Sequence, residues 1–304
     1  MNRIILFYKY VQISNPEAVK EELLSLCQNL GLKGRILLAT EGINATAAGT
    51  IDAINQFISY MSAHPLFDGI DFKDSSGTLA DFPRLEIKVK REIVKLGIDP
   101  EELTAFEGGK HLSPREAHAL MENNKNLVIL DARNNYESRI GIFENAIKPD
   151  INTFREFPAY IDQNEDQFKD KEVLMYCTGG IRCERASAYL QKKGIAKNVY
   201  QITGGIHRYV EQFPDGFFKG KNYVFDNRIS IKVTDDILGS CLLCDVSADE
   251  YYNCMNARCN KHFIGCDNCI NQLERTCSQR CHELVQQGLV PKRPIGYRNQ
   301  AAQQ

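Results

Sequence analysis

Eight of the eleven cysteines in this 304-residue chain lie between positions 241 and 281, in the spacing C-x2-C-x9-C-x4-C-x6-C-x2-C-x7-C-x3-C. Few large apolar side chains accompany them, so this segment needs a metal or crosslinks to fold. Two C-x-x-C pairs suit a tetrahedral Zn–S4 site, and the other four cysteines form a second site if the pairs interleave. The first set is Cys241, Cys244, Cys266 and Cys269, and the second is Cys254, Cys259, Cys277 and Cys281. Disulfides and loosely packed reduced thiols are the alternatives, and His262 and His282 are alternative ligands.

Composition indicates an ordinary globular chain of two or three domains, with 43% apolar and 25% charged residues. No apolar run approaches the roughly 18 residues of a membrane span, which excludes an integral membrane protein. The N-terminus MNRIILFYKYVQ reads as a first strand rather than a signal peptide. We therefore expect a cytoplasmic protein with reduced thiols, in which clustered cysteines favour metal over disulfides. The net charge of −2 is spread evenly, so nucleic-acid binding would need a local basic patch.

The first ninety residues alternate between strand and helix patterns in the order of a split βαβ, or ferredoxin-like, fold. The predicted strands are Arg3–Val11, Gly34–Thr40, Ile43–Ala48, Ile70–Lys73 and Leu85–Lys90, and the predicted helices cover about 16–30 and Ile51–Ala63. Cys27 falls on the apolar face of the first helix and is predicted to be a buried core thiol. The fold class is thus mixed α/β and α+β. The predicted domains are a ferredoxin-like domain (1–97), a connector (98–112), an α/β domain (113–230) and a cysteine-rich tail (231–304).

The middle domain repeats a strand, a tight loop and a helix, which predicts a doubly wound parallel sheet. Short apolar strands are predicted at 127–131, 172–177 and 198–202, and a helix is predicted over Cys183–Lys193. Asp131 and Cys177 stand at the carboxyl ends of two of these strands. Because ligands of such sheets bind beyond the carboxyl ends, both side chains are expected to face one crevice.

Cys177 begins the run Cys177-Thr178-Gly179-Gly180-Ile181-Arg182 between a strand and a helix. The two glycines allow a tight turn whose N–H groups point inward, with a helix N-terminus behind them. A cysteine in that setting has a lowered pKa and is largely thiolate at neutral pH. Arg182 adds a charged, forked donor for an anionic substrate or leaving group. The pattern favours nucleophilic catalysis over a merely buried cysteine.

This loop resembles the six-residue active-site loop of rhodanese domains, whose cysteine carries a persulfide. Asp131-Ala132-Arg133 resembles their Asp-x-Arg motif, and Thr203–Ile206 resembles their closing strand and loop. Residues 141–146 (GIFENA) resemble a Gly-His-Ile-x-Gly-Ala turn, with Ile142 where histidine is common and Asn145 where glycine is common. Related phosphatases use a loop one residue longer, so a phosphatase is disfavoured.

A narrower resemblance covers nearly the whole chain. The runs YCTGGIRCERAS (176–187), TFREFP (153–158) and EGINAT (41–46), together with the cysteine-rich tail, resemble the bacterial tRNA uridine hydroxylase family. This resemblance implies an acylphosphatase-like N-domain and the formation of 5-hydroxyuridine at the wobble position of tRNA. It further implies molecular oxygen as co-substrate and Cys177 as the essential residue. We find no flavin or nicotinamide fingerprint, and the residues alone do not give the mechanism of oxygen insertion.

Other residues near the loop have less specific roles. Cys183 is either a resolving thiol for Cys177 or a small residue of the first helical turn. Asp131 and Arg133 are expected to brace the loop. Glu184 and Arg185 are predicted to form a solvated pair at the helix start. Arg139 is interpreted as an exposed arginine, with substrate binding as the alternative.

Two other functions fit the motifs. One is a thiosulfate-type sulfurtransferase with a Cys177 persulfide, and the other is a non-enzymatic, zinc-dependent adaptor for RNA or protein. An intact thiolate loop disfavours the adaptor. For tRNA contact the candidates are Lys88, Lys90, Arg91 and Lys95, with a solvated strand end as the alternative, and residues 283–304 read as a flexible, mildly basic tail. The sequence indicates no particular protein partner.

Overall fold

The structure is a computed structural model that describes residues 2–75 and 77–294. The chain divides into two compact units. The first comprises Met1–Asn135 and Phe143–Phe217, and the second comprises Tyr136–Ile142 and Phe218–Gln304. The domain boundaries expected at 97, 112 and 230 stay a prediction. Residues 295–304, which the sequence assigns to a basic tail, lie outside the described residues.

The first ninety residues of the first unit form a five-stranded sheet with two helices. The elements are β1 (Asn2–Tyr10), α1 (Pro16–Asn29), β2 (Lys33–Ala39), β3 (Gly42–Thr50), α2 (Ile51–Ala63), β4 (Lys73–Ser75) and β5 (Leu85–Val89). The strand order is β4-β1-β3-β2-β5, with β1 antiparallel to β3 and β4, and β2 antiparallel to β3. Asn15 begins α1 by accepting a hydrogen bond from the Ala18 N–H at 3.1 Å, and Pro16 occupies the first helical position. This is the ferredoxin-like arrangement that the sequence predicts.

Strand β1 is covered on both faces. Ile5 and Phe7 enter the core between the sheet and its helices, where Cys27 is also buried as predicted. Leu6 and Tyr8 point to the other face and are partly buried there. Strand β4 begins at Lys73 rather than Ile70, because its pairing with β1 begins only where Lys73 lies opposite Leu6.

The middle segment of the chain forms a parallel sheet with helices. The elements are β6 (Lys110–Leu112), α3 (Pro114–Asn123), β7 (Val128–Asp131), α4 (Asn135–Ser138), β8 (Gly141–Phe143), α5 (Phe157–Gln163), β9 (Glu172–Tyr176), α6 (Ile181–Lys193), β10 (Asn198–Ile202) and α7 (Gly205–Gln212). The order β6-β10-β9-β7 is parallel throughout, as the doubly wound prediction requires. Helix α6 begins two residues earlier than predicted. Gly180 has φ +105°, which only glycine adopts easily, and this conformation turns the chain directly into the helix.

The second unit combines short strands with two short helices. Its elements besides β8 are β11 (Phe218–Tyr223), β12 (Ser230–Lys232), β13 (Tyr251–Asn253), β14 (His262–Ile264), α8 (Asp267–Gln272) and α9 (Gln279–Gln286). Strand β11 lies between β12 and β8, and β13 pairs with β14 as an antiparallel hairpin. A Cβ on Gly141 would lie 2.0 Å from the carbonyl oxygen of Lys221, so this position requires glycine.

The variant turn of the GIFENA run is accommodated without a glycine at its fifth position. Asn145 has φ +60°, a left-handed conformation that asparagine tolerates better than most residues. The departure from the usual turn sequence therefore leaves the turn intact.

Across the part of the chain that the structure describes, none of the helices combines the length and apolar character needed to traverse a lipid bilayer.

Candidate functional site

Cys177 directly follows β9 and is fully buried. Its Sγ accepts a hydrogen bond from the Gly180 N–H at 3.1 Å, so the loop folds back over the sulfur. Gly205 holds the loop from the far side, since a Cβ there would lie 2.3 Å from the Cys177 carbonyl oxygen and 2.8 Å from the Gly180 nitrogen. The tight turn inferred from the two adjacent glycines is therefore present around the cysteine.

The loop favours the ionised form of this sulfur. Burial alone raises the pKa of Cys177, but the Cys183 thiol, the Arg182 guanidinium and the N–H groups of both residues outweigh it. Together they lower the pKa of Cys177 to about 6, which makes the thiolate the main form at neutral pH.

Cys183 interacts directly with Cys177 but has the opposite electrostatic character. It is fully buried, and burial together with its hydrogen bond to the Cys177 sulfur raises its pKa well above the ordinary thiol value. The Cys183 thiol therefore stays protonated at neutral pH and serves as a hydrogen-bond donor to the thiolate. A protonated thiol is a poor nucleophile, which weakens the alternative of a resolving cysteine.

Asp131 and Arg133 form a fully buried ion pair beneath the loop. The Arg133 Nη2 donates to Asp131 Oδ2 at 2.7 Å, and the Tyr176 hydroxyl donates to the same carboxylate at 2.8 Å. Because Tyr176 immediately precedes Cys177, this pair fixes the end of β9 from which the loop departs. The contacts agree with a bracing role, which stays a prediction.

Arg182 lies in the first turn of α6 with 6% of its surface exposed. Its Nη2 is 3.4 Å from Thr178 Oγ1, so the guanidinium curls back over the loop. Arg139 is exposed in the second unit. Anion binding by Arg182 and substrate binding by Arg139 both stay predictions.

The N-terminal sheet contributes residues to this site that the sequence analysis missed. A Cβ on Gly179 would lie 2.9 Å from Leu6 Cδ2, and one on Gly180 would lie 2.6 Å from the Tyr8 hydroxyl. Strand β1 therefore packs directly on the Cys177 loop, where a side chain larger than glycine would not fit. The sequence did contain a signal for this contact, because β1 has apolar residues on both faces. Its second face therefore needs another part of the protein to cover it.

The prediction of a solvated pair at Glu184 and Arg185 is wrong. Both are buried, and each binds a different partner. Glu184 accepts from the Tyr8 hydroxyl at 2.9 Å, and Arg185 Nη1 donates to Glu41 Oε2 at 2.8 Å. Both helix residues are covered by the N-terminal sheet, which the local sequence around α6 does not reveal.

Two sets of four cysteine sulfurs come together in the second unit. Within each set the sulfurs lie within 4.8 Å of one another, and all eight cysteines are free. The pair Cys244 and Cys266 is 3.7 Å apart, and Cys259 and Cys277 are 3.5 Å apart. A tetrahedral Zn–S4 centre with bonds of about 2.3 Å places its sulfurs about 3.8 Å apart, whereas a disulfide needs about 2.05 Å. Both sets could hold a metal ion, and they are the two interleaved sets of the sequence analysis.

The basic candidates for tRNA contact are exposed but do not form a purely basic surface. Lys88 Nζ lies 2.9 Å from Glu86 Oε1, and Arg91 pairs with Asp99. A cavity of about 910 Å³ opens beside them, lined by Arg91, Glu92, Lys95, Gly97, Ile98, Asp99, Glu101, Glu102 and Arg155. Acidic and basic groups alternate there, so tRNA binding by this segment stays a prediction.

A parallel sheet with a buried, readily ionised cysteine in a six-residue loop defines a rhodanese-domain protein. Residues 113–212 match the family model described as a rhodanese-like domain. Residues 2–93 match a UPF0176 acylphosphatase like domain, and residues 219–282 match a rhodanase C-terminal domain.

Similar proteins extend over nearly the whole chain. A tRNA uridine(34) hydroxylase of Cytophaga hutchinsonii is 41% identical over 92% of this chain and 89% of its own length. One of Pseudarthrobacter chlorophenolicus is 42% identical over 88% of this chain and 94% of its own length. Rhodanese-like domain-containing protein 6 of Arabidopsis thaliana is 41% identical over 88% of this chain, which spans only 50% of that protein. The chain belongs to the tRNA uridine(34) hydroxylase family.

Proposed function

We propose that this protein is a tRNA uridine(34) hydroxylase that forms 5-hydroxyuridine and uses Cys177 as its essential sulfur. The observation that carries the proposal is the identity of about 40% that extends across the N-terminal, rhodanese and C-terminal segments alike. A relative that shared only the rhodanese domain would be similar to the middle third of this chain alone. tRNA is the substrate in this proposal, and molecular oxygen is the co-substrate that the family resemblance implies.

The residues in and around the loop have different parts in the proposal. Cys177 supplies a thiolate that is held in place by the backbone N–H groups of the loop, including Gly180. Arg182 balances the charge of that thiolate and is positioned to bind an anionic group near it. Asp131 braces the strand end through Tyr176. Burial of the sulfur protects it from unproductive oxidation before the nucleoside arrives.

The cysteine-rich unit is proposed to hold two structural zinc ions. One would be bound by Cys241, Cys244, Cys266 and Cys269, and the other by Cys254, Cys259, Cys277 and Cys281. Four thiolates leave no open coordination position, so neither ion would take part in the reaction.

The experiment is nucleoside mass spectrometry of tRNA from a strain that lacks the gene. We expect 5-hydroxyuridine and its derivatives to disappear and to return with the wild-type gene or with C27S, whose cysteine lies in the N-terminal core. We expect no return with C177S. Full restoration by C177S would overturn the role of this sulfur. Purified protein with tRNA, in the presence and absence of oxygen, tests the co-substrate.

The second candidate is sulfur transfer. The specific observation in its favour is the loop itself, because a buried thiolate beside Arg182 also suits a persulfide. Loss of a thiolated nucleoside from the deletion strain, with 5-hydroxyuridine unchanged, would support this candidate instead.

A further inference from the structure

Lys73 is a buried charged residue of β4 for which the mechanism proposed above has no use. Only 2% of its surface is exposed, and its ammonium lies 2.9 Å from Asp71 Oδ2. Burial of an ammonium is costly unless an opposite charge and hydrogen bonds compensate for it. The position of this lysine therefore needs an explanation beyond packing.

Its side chain lies at the contact between the N-terminal sheet and the Cys177 loop. Lys73 pairs across the sheet with Leu6, and its Nζ is 5.2 Å from the centre of the Tyr8 ring. Leu6 and Tyr8 are the residues that pack on Gly179 and Gly180 of the loop. All three N-terminal side chains thus lie on the sheet face that covers the catalytic cysteine.

The other side of Lys73 contacts the turn that supports the loop. Its Cε lies 3.3 Å from where a Cβ on Gly204 would be, and the adjacent Gly205 packs directly on the backbone of Cys177. The stem therefore runs between the Tyr8 ring and the Gly204–Gly205 turn. Burial lowers the pKa of Lys73, Asp71 opposes that shift most strongly, and the charge of the Cys177 thiolate opposes it to a smaller extent, so the ammonium and the thiolate interact electrostatically.

The carboxylate beside Lys73 is shared. Asp71 also accepts from Arg208, whose Nε lies 3.3 Å from Asp71 Oδ2 and whose Nη1 pairs with Glu211 at 2.7 Å. Among the described residues, the acceptors that the structure gives to the ammonium are the carboxylate and the carbonyl oxygen of Asp71. Lys73 therefore shares the Asp71 carboxylate with Arg208, which has a second carboxylate partner in Glu211.

We propose that Lys73 belongs to the Cys177 site as a positioning residue, an ammonium supplied by the N-terminal domain that stabilises the thiolate. This inference rests on the proposed role of Cys177 but not on whether the reaction is hydroxylation or sulfur transfer. It also explains why a small N-terminal domain without a catalytic motif of its own covers the loop. The rhodanese segment alone would then lack part of the electrostatic stabilisation of its cysteine.

The other titratable groups around the sulfur must be kept constant in the test. They are Arg182 and Cys183 of α6, Tyr8 and Tyr10 of β1, and His207 of α7. Substitution of Lys73 by methionine keeps the length of the stem and removes only the charge. Arg208 remains to neutralise Asp71, so K73M leaves no isolated carboxylate.

The experiment measures thiolate absorbance against pH in the full-length protein and subtracts the same variant carrying C177S. We expect K73M to raise the pKa of Cys177 by about half a unit, a roughly threefold loss of thiolate at pH values below it. K73R should restore the wild-type value in large part. K20M, at a partly exposed lysine of α1, should leave it unchanged.

A second variant separates electrostatics from damage to the fold. K73R disturbs the packing around the stem but keeps the positive charge, so the pKa of Cys177 should stay low in this variant. A rise of similar size in K73M and K73R would indicate a disturbed contact and would overturn the proposal, as would an unchanged pKa in K73M. The readout is the thiol itself, so the test is independent of 5-hydroxyuridine formation, on which the proposed function stands or falls.

Discussion

At the scale of single residues, the ionisation of Cys177 depends on a neighbour that the sequence analysis regarded as a potential redox partner. The Cys183 thiol donates to the Cys177 sulfur and remains protonated itself. Replacing it with alanine should move the pKa of Cys177 from about 6 to about 7, because a hydrogen bond to a charged group contributes roughly 1.5 kcal/mol. The pH dependence of thiolate absorbance measures this change.

Alanine at Cys27 is the matched control, since that thiol is buried in the N-terminal core and not in the cluster that contains Cys177 and Cys183. A resolving role for Cys183 makes a different prediction. Oxidised wild-type protein would then contain a disulfide between Cys177 and Cys183, and C183A would lose that disulfide without a change in the pKa of Cys177.

Glu184 links the N-terminal sheet to a titratable residue that is half exposed. Its hydrogen bond to His111, at 3.1 Å, raises the pKa of that histidine although partial burial opposes the shift. The contribution of this pair to the free energy of unfolding should be fully present below about pH 6.5, the ordinary pKa of histidine. It should be lost as the pH rises through the raised pKa of His111.

Substitution E184Q should therefore return the pKa of His111 toward 6.5 and remove this part of the pH dependence of unfolding. NMR titration of the His111 ring and urea unfolding on both sides of that pH are the measurements. E122Q, on α3, is the control. An unchanged His111 titration in E184Q would contradict the assignment.

At the scale of elements, the cysteine-rich unit depends on loops and helix ends that meet in space. The first set joins a cysteine pair before the β13–β14 hairpin to a pair at the N-terminal end of α8. The second set joins a pair within the hairpin to a pair at the N-terminal end of α9. Protein purified under reducing conditions should contain two zinc ions per chain, and C244S combined with C266S should leave one. Zinc sites of this kind contribute on the order of 10 kcal/mol to folding.

Chelation should accordingly increase hydrogen exchange across residues 241–281, and elemental analysis with a free-thiol count gives the stoichiometry. The pKa of Cys177 is the internal control and should not change. Near-zero zinc with pairwise-oxidised cysteines would refute the metal prediction.

The candidate tRNA contacts lie at the end of β5 and directly after it. Lys88 and Arg91 are each paired with a carboxylate, so Lys90 and Lys95 should provide most of the binding. Alanine at all four positions should weaken tRNA binding and reduce the slope of log affinity against log salt by about two. The measurement is a salt titration of tRNA affinity. An unchanged slope would place the binding surface elsewhere, and K20A on α1 is the control.

At the scale of the whole molecule, a buried ion pair joins the N-terminal sheet to α6. Arg185 has no exposed side-chain surface, and its Nη2 also donates to the Ile98 carbonyl oxygen at 2.7 Å. Replacing Glu41 with glutamine leaves a buried guanidinium without its main counter-charge. The free energy of unfolding should fall by about 3 kcal/mol, which denaturant unfolding measures.

Two comparisons make this prediction specific. E17Q, which removes one partner of the partly exposed Lys20, should cost under about 0.5 kcal/mol. The double variant of E41Q with R185M should cost less than the two single variants together, because they share one interaction. Additive losses would show that the pair does not connect the two segments.

The sequence by itself determined the elements and the reactive loop. Alternating apolar residues, the caps Asn15 and Ser113 and the glycines of the loop act locally, so helices, strands and the nest at Cys177 follow from neighbours along the chain. The grouping of the eight cysteines was also inferred from spacing, because a four-thiolate centre requires paired ligands. The predicted starts of β4 and α6 differ by two or three residues from the observed starts at Lys73 and Ile181. Strand pairing sets the first of these positions, and the backbone conformation of Gly180 sets the second.

Tertiary structure alone decided how the loop is covered. Nothing near α6 in the sequence indicates that Glu184 and Arg185 are buried, since their partners Tyr8 and Glu41 lie more than a hundred residues away. The same holds for Lys73, whose position against the Cys177 loop depends on how two sheets pack. Burial and electrostatic coupling come from residues that are close in space, and periodicity along a chain records only whether a face is covered, not what covers it.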